Sequence, residues 1–207
     1  MELDPRTTAV VAVHCQGDIV GPDGAFASFF HQQVVERRVL ARIATLTDAM
    51  RAAGGMIVYT RVAWRPDFSD LQANSPILGI VAQSGCLKDG SELAGIVADV
   101  APHDGDIVIT HQRVGGFAES DLDATLRERE LDTLVFCGVA TNFSVEGTAR
   151  VASDLGYRVV VVDDACAAAS PDAHAASLAS LGLLAEIVTV QDVLDALPSS
   201  APADAQE

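Results

Sequence analysis

Basic residues are scarce in this chain: 13 lysines and arginines stand against 29 aspartates and glutamates, which gives a formal net charge of -16. This balance argues against nucleic acids and anionic membrane surfaces as partners. No apolar run approaches the roughly 20 residues that a membrane span needs. The N-terminus has neither a basic region nor an apolar signal core. We therefore expect a cytoplasmic protein that binds a small molecule.

Motifs for metals and nucleotides are also missing. The four cysteines form no CxxC pair, so we expect buried free thiols and no disulfide or zinc site. No GxGxxG follows the first apolar run, and no GxxxxGK[ST] occurs in the chain, which argues against a nucleotide-binding loop. We expect neither a metal nor an organic cofactor.

The sequence does contain a regular alternation of short apolar runs and segments with helical spacing. Strands are predicted at 7–14, 56–60, 106–110, 133–137, 158–162 and 186–190. Helices are predicted at 33–53, 91–99, 122–129, 144–155, 170–183 and 192–197, and a long connection at 61–90. This alternation predicts a three-layer α/β/α sandwich with a mainly parallel six-stranded sheet. We expect one domain over 1–197 and a disordered tail over 198–207.

The stretch 135–148 combines a strand, a tight turn at Gly138 and a helix start at Ser144. Free N–H groups at a helix start can hold an anion or a developing oxyanion. His14 and His111 stand at the ends of two other predicted strands. Since ligands bind beyond the carboxyl ends of parallel strands, we expect these three side chains to converge. The alternative interpretations are a helix N-cap for Ser144 and a packed histidine at each strand end.

This layout resembles the isochorismatase-like hydrolases, also called the cysteine hydrolase family. The resemblance covers nearly the whole chain and is most specific over 138–145, which reads Gly-Val-Ala-Thr-Asn-Phe-Ser-Val. The segments 13–18 and 113–117 match in position. The resemblance implies a homodimer or larger homo-oligomer, and a cis peptide at Val139–Ala140.

The reactive positions depart from the family pattern. The family usually has an aspartate where this chain has His14, a lysine at the position of His111 and a nucleophilic cysteine at the position of Ser144. The Asp-x-His metal-ligand pattern of nicotinamidases is replaced by Arg-Val-Ala-Trp at 61–64. An aspartate and a lysine carry no net charge together, and neither do two neutral histidines. Exchanging only one of the pair would leave an unpaired buried charge, which costs several kcal/mol.

Three functions are compatible with these residues. The first is hydrolysis of a small amide, ester or related acyl compound, with Ser144 activated by His14 or His111. In that case, the N–H groups of Ala140 and Ser144 form the oxyanion hole. The second is acid-catalysed cleavage of a vinyl ether, as in isochorismatases proper, with a protonated His14 as the donor. The third is a binding protein that has lost its chemistry.

Further residues are candidates for contact with the substrate or for support of the site. Phe26, Trp64 and Phe68 are candidates for a pocket lining, although they could equally pack their own loops or a subunit interface. Arg61 and Arg113 are candidates for binding a carboxylate, with ion pairs to acidic residues as the alternative. Gln16 and Asp18 are predicted to orient the loop after the first strand by hydrogen bonding behind the site.

Overall fold

The computed structural model describes residues 1–198. The predicted tail, apart from Pro198, lies outside the described residues. Six strands alternate with helices along the chain. The strands are β1 Thr8–Val13, β2 Met56–Val62, β3 Ile107–His111, β4 Thr133–Val139, β5 Arg158–Ala167 and β6 Glu186–Val188. The helices are α1 Gly17–Val20, α2 Ala27–Glu36, α3 Val39–Ala52, α4 Pro76–Ser84, α5 Leu122–Glu128, α6 Glu146–Asp154, α7 Pro171–Leu181 and α8 Val190–Ala196.

The strands form one parallel sheet in the order β3-β2-β1-β4-β5-β6. β1 and β4 are buried along their whole length, which explains their continuous β-branched and apolar sequence. Since every described strand runs in the same direction, the carboxyl ends of β1 to β4 lie side by side. The three-layer α/β/α fold predicted from the alternation is confirmed.

Each face of the sheet has its own apolar core because successive strand residues point to opposite faces. On one face, Val10 and Ala12 of β1 pack in the same cluster as Val39, Ile43 and Leu46 of α3. On the other face, Val11 and Val13 of β1 belong to a cluster that includes residues of α5, α6 and α7. No helix within residues 1–198 is long and apolar enough to cross a membrane.

Several predicted element bounds were wrong. The helix predicted at 33–53 is two helices, α2 and α3, separated at Arg37 and Arg38, and Arg38 is left-handed with φ 54°. The segment 91–99 contains two single 3₁₀ turns, Glu92–Ala94 and Ala98–Val100. The helices α1 and α4 were not predicted, and α4 interrupts the long connection at 61–90.

Gly138 allows β4 to approach β1 directly beside the site. Its φ is 117°, and a Cβ added there would lie 2.1 Å from the carbonyl oxygen of Val13. No other residue type tolerates both conditions. The glycine therefore fixes the backbone distance between the strand that ends at His14 and the strand that leads to Ser144.

Candidate active site

A cavity opens at the carboxyl ends of β1 to β4. It contains about 460 Å³ of empty space, counted out to its open mouth. His14, Arg113 and Ser144 supply its polar lining. Most of the remaining wall is apolar and comes from α1, α2, α4 and the strand ends.

The two predicted histidines meet at this edge. Their Nε2 atoms lie 3.0 Å apart, and the rings stack with centroids 5.0 Å apart and an interplanar angle of 26°. β2 lies between the strands that carry them, so both side chains reach over its end. His14 has a left-handed backbone, with φ 51°, and its N–H donates to the Thr60 carbonyl at 2.9 Å. Of the two rings, only that of His14 lines the cavity.

Both imidazoles are held in the neutral form at neutral pH. Burial lowers the pKa of His14 well below 6.5, and the facing His111 lowers this pKa further. Burial also lowers the pKa of His111 from 6.5 to about 4, although the Arg113 backbone acts in the opposite direction. A contact at 3.0 Å between neutral rings requires one Nε2 to donate a hydrogen bond and the other to accept it.

Ser144 lies in a wide turn between β4 and α6. The turn spans Thr141–Val145 and has π-helical geometry, and the peptide Val139–Ala140 is cis, as expected from the resemblance. The carbonyl of Ala140 accepts bonds from the N–H groups of Phe143 and Val145, at 3.1 Å each. Within residues 1–198, the intervening N–H of Ser144 makes no such bond to that carbonyl. Ser144 is 6% exposed, and its side chain lines the cavity beside His14.

The Ser144 hydroxyl is not hydrogen-bonded to either imidazole within the described chain. The hydrogen bond found for Ser144 involves its carbonyl, which accepts from Thr148 Oγ1 at 2.6 Å. The structure thus places the serine and His14 on one cavity wall without the contact of a formed catalytic dyad. Catalytic hydrogen bonds are often long in the absence of substrate.

The other predicted contact residues divide into two groups. Phe26, Trp64 and Arg113 line the cavity. Phe68 does not, and its ring packs under Lys88 Nζ at 4.9 Å. Arg61 is also outside the lining, because its guanidinium donates to Thr110 Oγ1 at 2.8 Å and pairs with Asp89.

Comparison with known proteins identifies the family. A family model described as "Isochorismatase domain" matches residues 8–192. The chain belongs to the isochorismatase family. The family predicted from the sequence is thereby confirmed.

Individual relatives match over most of their length. The uncharacterized isochorismatase family protein YecD of Escherichia coli O157:H7 is 32% identical over 95% of this chain and 100% of its own. The ureidoacrylate amidohydrolase RutB of Methylobacterium radiotolerans is 33% identical over 98% of this chain and 85% of its own. A crystal structure of a cysteine hydrolase from Pseudomonas syringae pv. phaseolicola superposes with a TM-score of 0.86, at 28% identity and 97% coverage of both chains.

In this family member, Gln16 and Asp18 hold the cavity walls from behind. The Gln16 amide donates to the Val62 and Ala94 carbonyls at 2.9 and 2.8 Å, and its oxygen accepts from Val62 N–H at 2.8 Å. One Asp18 oxygen accepts from Leu87 N–H at 2.8 Å. Val62 and Leu87 both line the cavity, so these buried side chains fix wall positions.

Sequence reasoning missed one wall of the cavity. Ile77, Leu78 and Val81 of α4 line it, although the whole region was predicted as a connection. The signal was present: Ser75-Pro76 is a typical helix start, and these apolar residues follow at helical spacing.

Sequence reasoning also missed a buried polar network behind the Ser144 turn. His174 is 4% exposed. Its Nδ1 lies 2.8 Å from Thr141 Oγ1, and its Nε2 lies 2.8 Å from Asp163 Oδ1. Arg37 Nη2 lies 3.0 Å from the same Nε2 and donates to Asp163. This network ties the turn to β5 and α7 and to the break between α2 and α3.

Proposed function

We propose that this chain is a hydrolase of a small amide, ester or related acyl compound, with Ser144 as the nucleophile and His14 as its base. The Nε2 contact at 3.0 Å between His14 and His111 carries this proposal. It occupies one nitrogen of His14 and leaves Nδ1 as the nitrogen that can serve the cavity. A neutral imidazole beside a hydroxyl is the arrangement that nucleophilic serine chemistry needs.

The role of His111 in the proposal is to set the tautomer of His14. His14 is a base at Nδ1 only if its own proton is on Nε2, and that N–H then donates to a bare Nε2 of His111. The His111 proton is then on Nδ1, which is buried without a hydrogen-bond partner in the described part of the chain, although the backbone of Arg113 favours a proton on this ring. His111 therefore positions and polarises the base. Of the two histidines, only His14 contacts the substrate.

The proposed reaction begins when Ser144 Oγ attacks the acyl carbon and its proton moves to His14 Nδ1. The oxyanion accepts hydrogen bonds from the N–H groups of Ser144 and Ala140. The tetrahedral intermediate expels an amine or alcohol, which takes the proton from His14. Water then attacks the ester carbonyl, and its proton passes to His14. Collapse of this second intermediate releases the acid and returns the proton to Ser144.

The relatives support an acyl substrate. RutB is named a ureidoacrylate amidohydrolase, and hydrolysis of an amide is one of the reactions proposed for this chain. Position 144 carries a serine, and the proposal assigns the role of nucleophile to its hydroxyl. Cytoplasmic location and homo-oligomerisation remain predictions from the sequence.

A covalent adduct tests the proposal. Incubation with activated esters and amides of small acids should add one acyl group to the protein, measured by intact mass and assigned to Ser144 by peptide mapping. Ser144→Ala should abolish the adduct and turnover, whereas Ser91→Ala, at an exposed serine outside the cavity, should retain both. An adduct that persists in Ser144→Ala would refute the nucleophile.

The two alternative functions predict different results when the same variants are assayed for vinyl-ether cleavage and for ligand binding. Vinyl-ether cleavage that survives Ser144→Ala and is lost in His14→Ala would indicate acid catalysis. Ligand binding without turnover of any acyl or vinyl-ether compound would indicate a binding protein. His14→Ala and His111→Asn also separate the two rings: the first should remove adduct formation, and the second should slow it and move its pH dependence.

A further inference from the structure

Two nitrogens of cavity-lining residues have no hydrogen-bond partner in the part of the chain that the structure describes. Trp64 is 1% exposed, and its indole Nε1 is buried without an acceptor within residues 1–198. Arg113 has a second such atom, its Nη1. Both residues line the cavity. Buried N–H groups in folded proteins are nearly always paired, so two unpaired donors beside one cavity indicate a ligand that supplies the acceptors.

The two terminal nitrogens of the Arg113 guanidinium differ in their hydrogen bonding. Its Nη2 donates to Gln72 Oε1 and to Glu119 Oε2, each at 2.9 Å. The Glu119 side chain is 66% exposed, so water screens most of its charge. The Nη1 edge is buried. Arg113 thus has a paired Nη2 and a buried Nη1 that lacks a hydrogen-bond partner among the described residues.

The surroundings of these donors favour a group with a single negative charge. Of the residues that line the described cavity, only Arg113 carries a charge at neutral pH, because the neighbouring His14 is neutral. A carboxylate would balance this charge and accept from both donors. A dianion such as a phosphate would leave an unbalanced charge against apolar walls, which is costly.

The sheet order places these donors away from the proposed nucleophile. Trp64 follows β2 and Arg113 follows β3, on one side of β1, whereas Ser144 follows β4 on the other side. Apolar side chains of α2 and α4 also line the cavity. We infer that the substrate carries a carboxylate, held by Trp64 and Arg113, at the opposite end of an apolar body from its acyl carbon.

This inference rests on the proposed function for the acyl end of the substrate, but the carboxylate site can be tested without turnover. The Ser144→Ala variant is titrated with hexanoate and with hexanamide, which share an apolar body and differ in charge. Trp64 is the single tryptophan of the chain, so its fluorescence reports binding at this position. Straight-chain carboxylates from butanoate to octanoate then define the best length.

Charge recognition should appear as a preference between the paired ligands. Hexanoate should bind at least about tenfold more tightly than hexanamide, which is about 1.4 kcal/mol. Arg113→Gln should remove the preference, and Arg113→Lys, which keeps the charge without the planar fork, should retain part of it. Arg65→Gln is the matched control: it removes the same charge from an exposed arginine outside the cavity and should leave the preference intact.

The contribution of the Trp64 N–H must be measured without tryptophan fluorescence. Trp64→Phe keeps an aromatic ring and removes the N–H, and ligand-observed NMR replaces fluorescence. Both hexanoate and hexanamide should bind more weakly, by about threefold to tenfold, since each presents an oxygen acceptor. Unchanged affinities for both ligands would remove Trp64 from the site.

Several outcomes would overturn the inference. These are equal binding of hexanoate and hexanamide, no binding by any carboxylate of the series, or a preference that survives Arg113→Gln. Failure of the proposed function gives a different result. If Ser144→Ala still turned over acyl compounds while the charge preference stood, the nucleophile would be wrong and the carboxylate site would be right.

Discussion

The histidine pair should make the protein sensitive to acid in a defined pH window. The pKa of His111 is about 4 in the folded protein and 6.5 without the burial that lowers it. Above pH 6.5, His111 is mostly unprotonated in both the folded and the unfolded protein, so its burial does not lower stability. As the pH falls from 6.5 towards 4, the unfolded state binds a proton that the folded state excludes, so stability falls.

The size of this effect follows from the two pKa values. For His111 alone, they predict a loss of about 2 kcal/mol of unfolding free energy between about pH 7 and about pH 5. The pKa of His14 is lowered in the same direction, so its contribution adds to this loss. Below pH 4, the folded state also accepts the His111 proton, and this contribution levels off.

A double variant isolates the effect from the many carboxylates that titrate nearby. His14→Asn with His111→Asn removes both titrating rings, and asparagine tolerates the left-handed backbone at position 14. Urea unfolding of wild type and variant across the window should show a stability difference that narrows by about 2 kcal/mol or more towards pH 5. The exposed His103, replaced by Gln, should behave as wild type. Parallel pH profiles for wild type and the double variant would refute the reasoning.

Three further predictions concern the residues around the site. Gly138→Ala should cost at least about 3 kcal/mol of stability or prevent folding, whereas Gly54→Ala, with φ 79° and open space around it, should cost about 1 kcal/mol in urea unfolding. Burial raises the pKa of Cys15 to about 12, so a thiol reagent should label it only after unfolding; rapid native labelling would contradict this. His111→Lys should destabilise by several kcal/mol, and adding His14→Asp should recover much of it. Additive effects in this double-mutant cycle would contradict a charge-balanced pair.

The sequence was sufficient to predict the features that depend on local pattern. Continuous apolar runs predicted the buried strands, and a parallel sheet brings their carboxyl ends to one edge. That is why His14, His111 and Ser144 could be expected at one place from residues far apart in the chain. The family resemblance added the cis peptide at Val139–Ala140.

Features that depend on distant partners could not be predicted in the same way. Arg37 and Arg38 have good helix propensity, yet the helix breaks there. The Arg37 guanidinium donates to the carbonyls of Cys166 and Asp163, at 2.9 Å each. These contacts join positions more than a hundred residues apart, so helical periodicity carries no trace of them.

For the same reason, the sequence could not show which of the two candidate arginines lines the cavity. Arg61 lies in β2 and Arg113 follows β3, and both make ion pairs. They differ in their relation to the cavity: Arg61 lies outside the lining, whereas Arg113 is part of it and has a buried Nη1 without a partner among residues 1–198. Only the three-dimensional arrangement of acidic partners distinguishes them.

The distribution of charge in the cavity links the proposed chemistry to the proposed recognition. A neutral histidine pair leaves the reacting end uncharged, so Arg113 is the single site of attraction for an anionic substrate. An aspartate at position 14 would repel a substrate carboxylate from the reacting end and would need a cation beside it. With His14 and His111, orientation comes from the far end of the cavity, because Trp64 and Arg113 hold the carboxylate there. The acyl carbon is then left at the end where Ser144 and His14 lie.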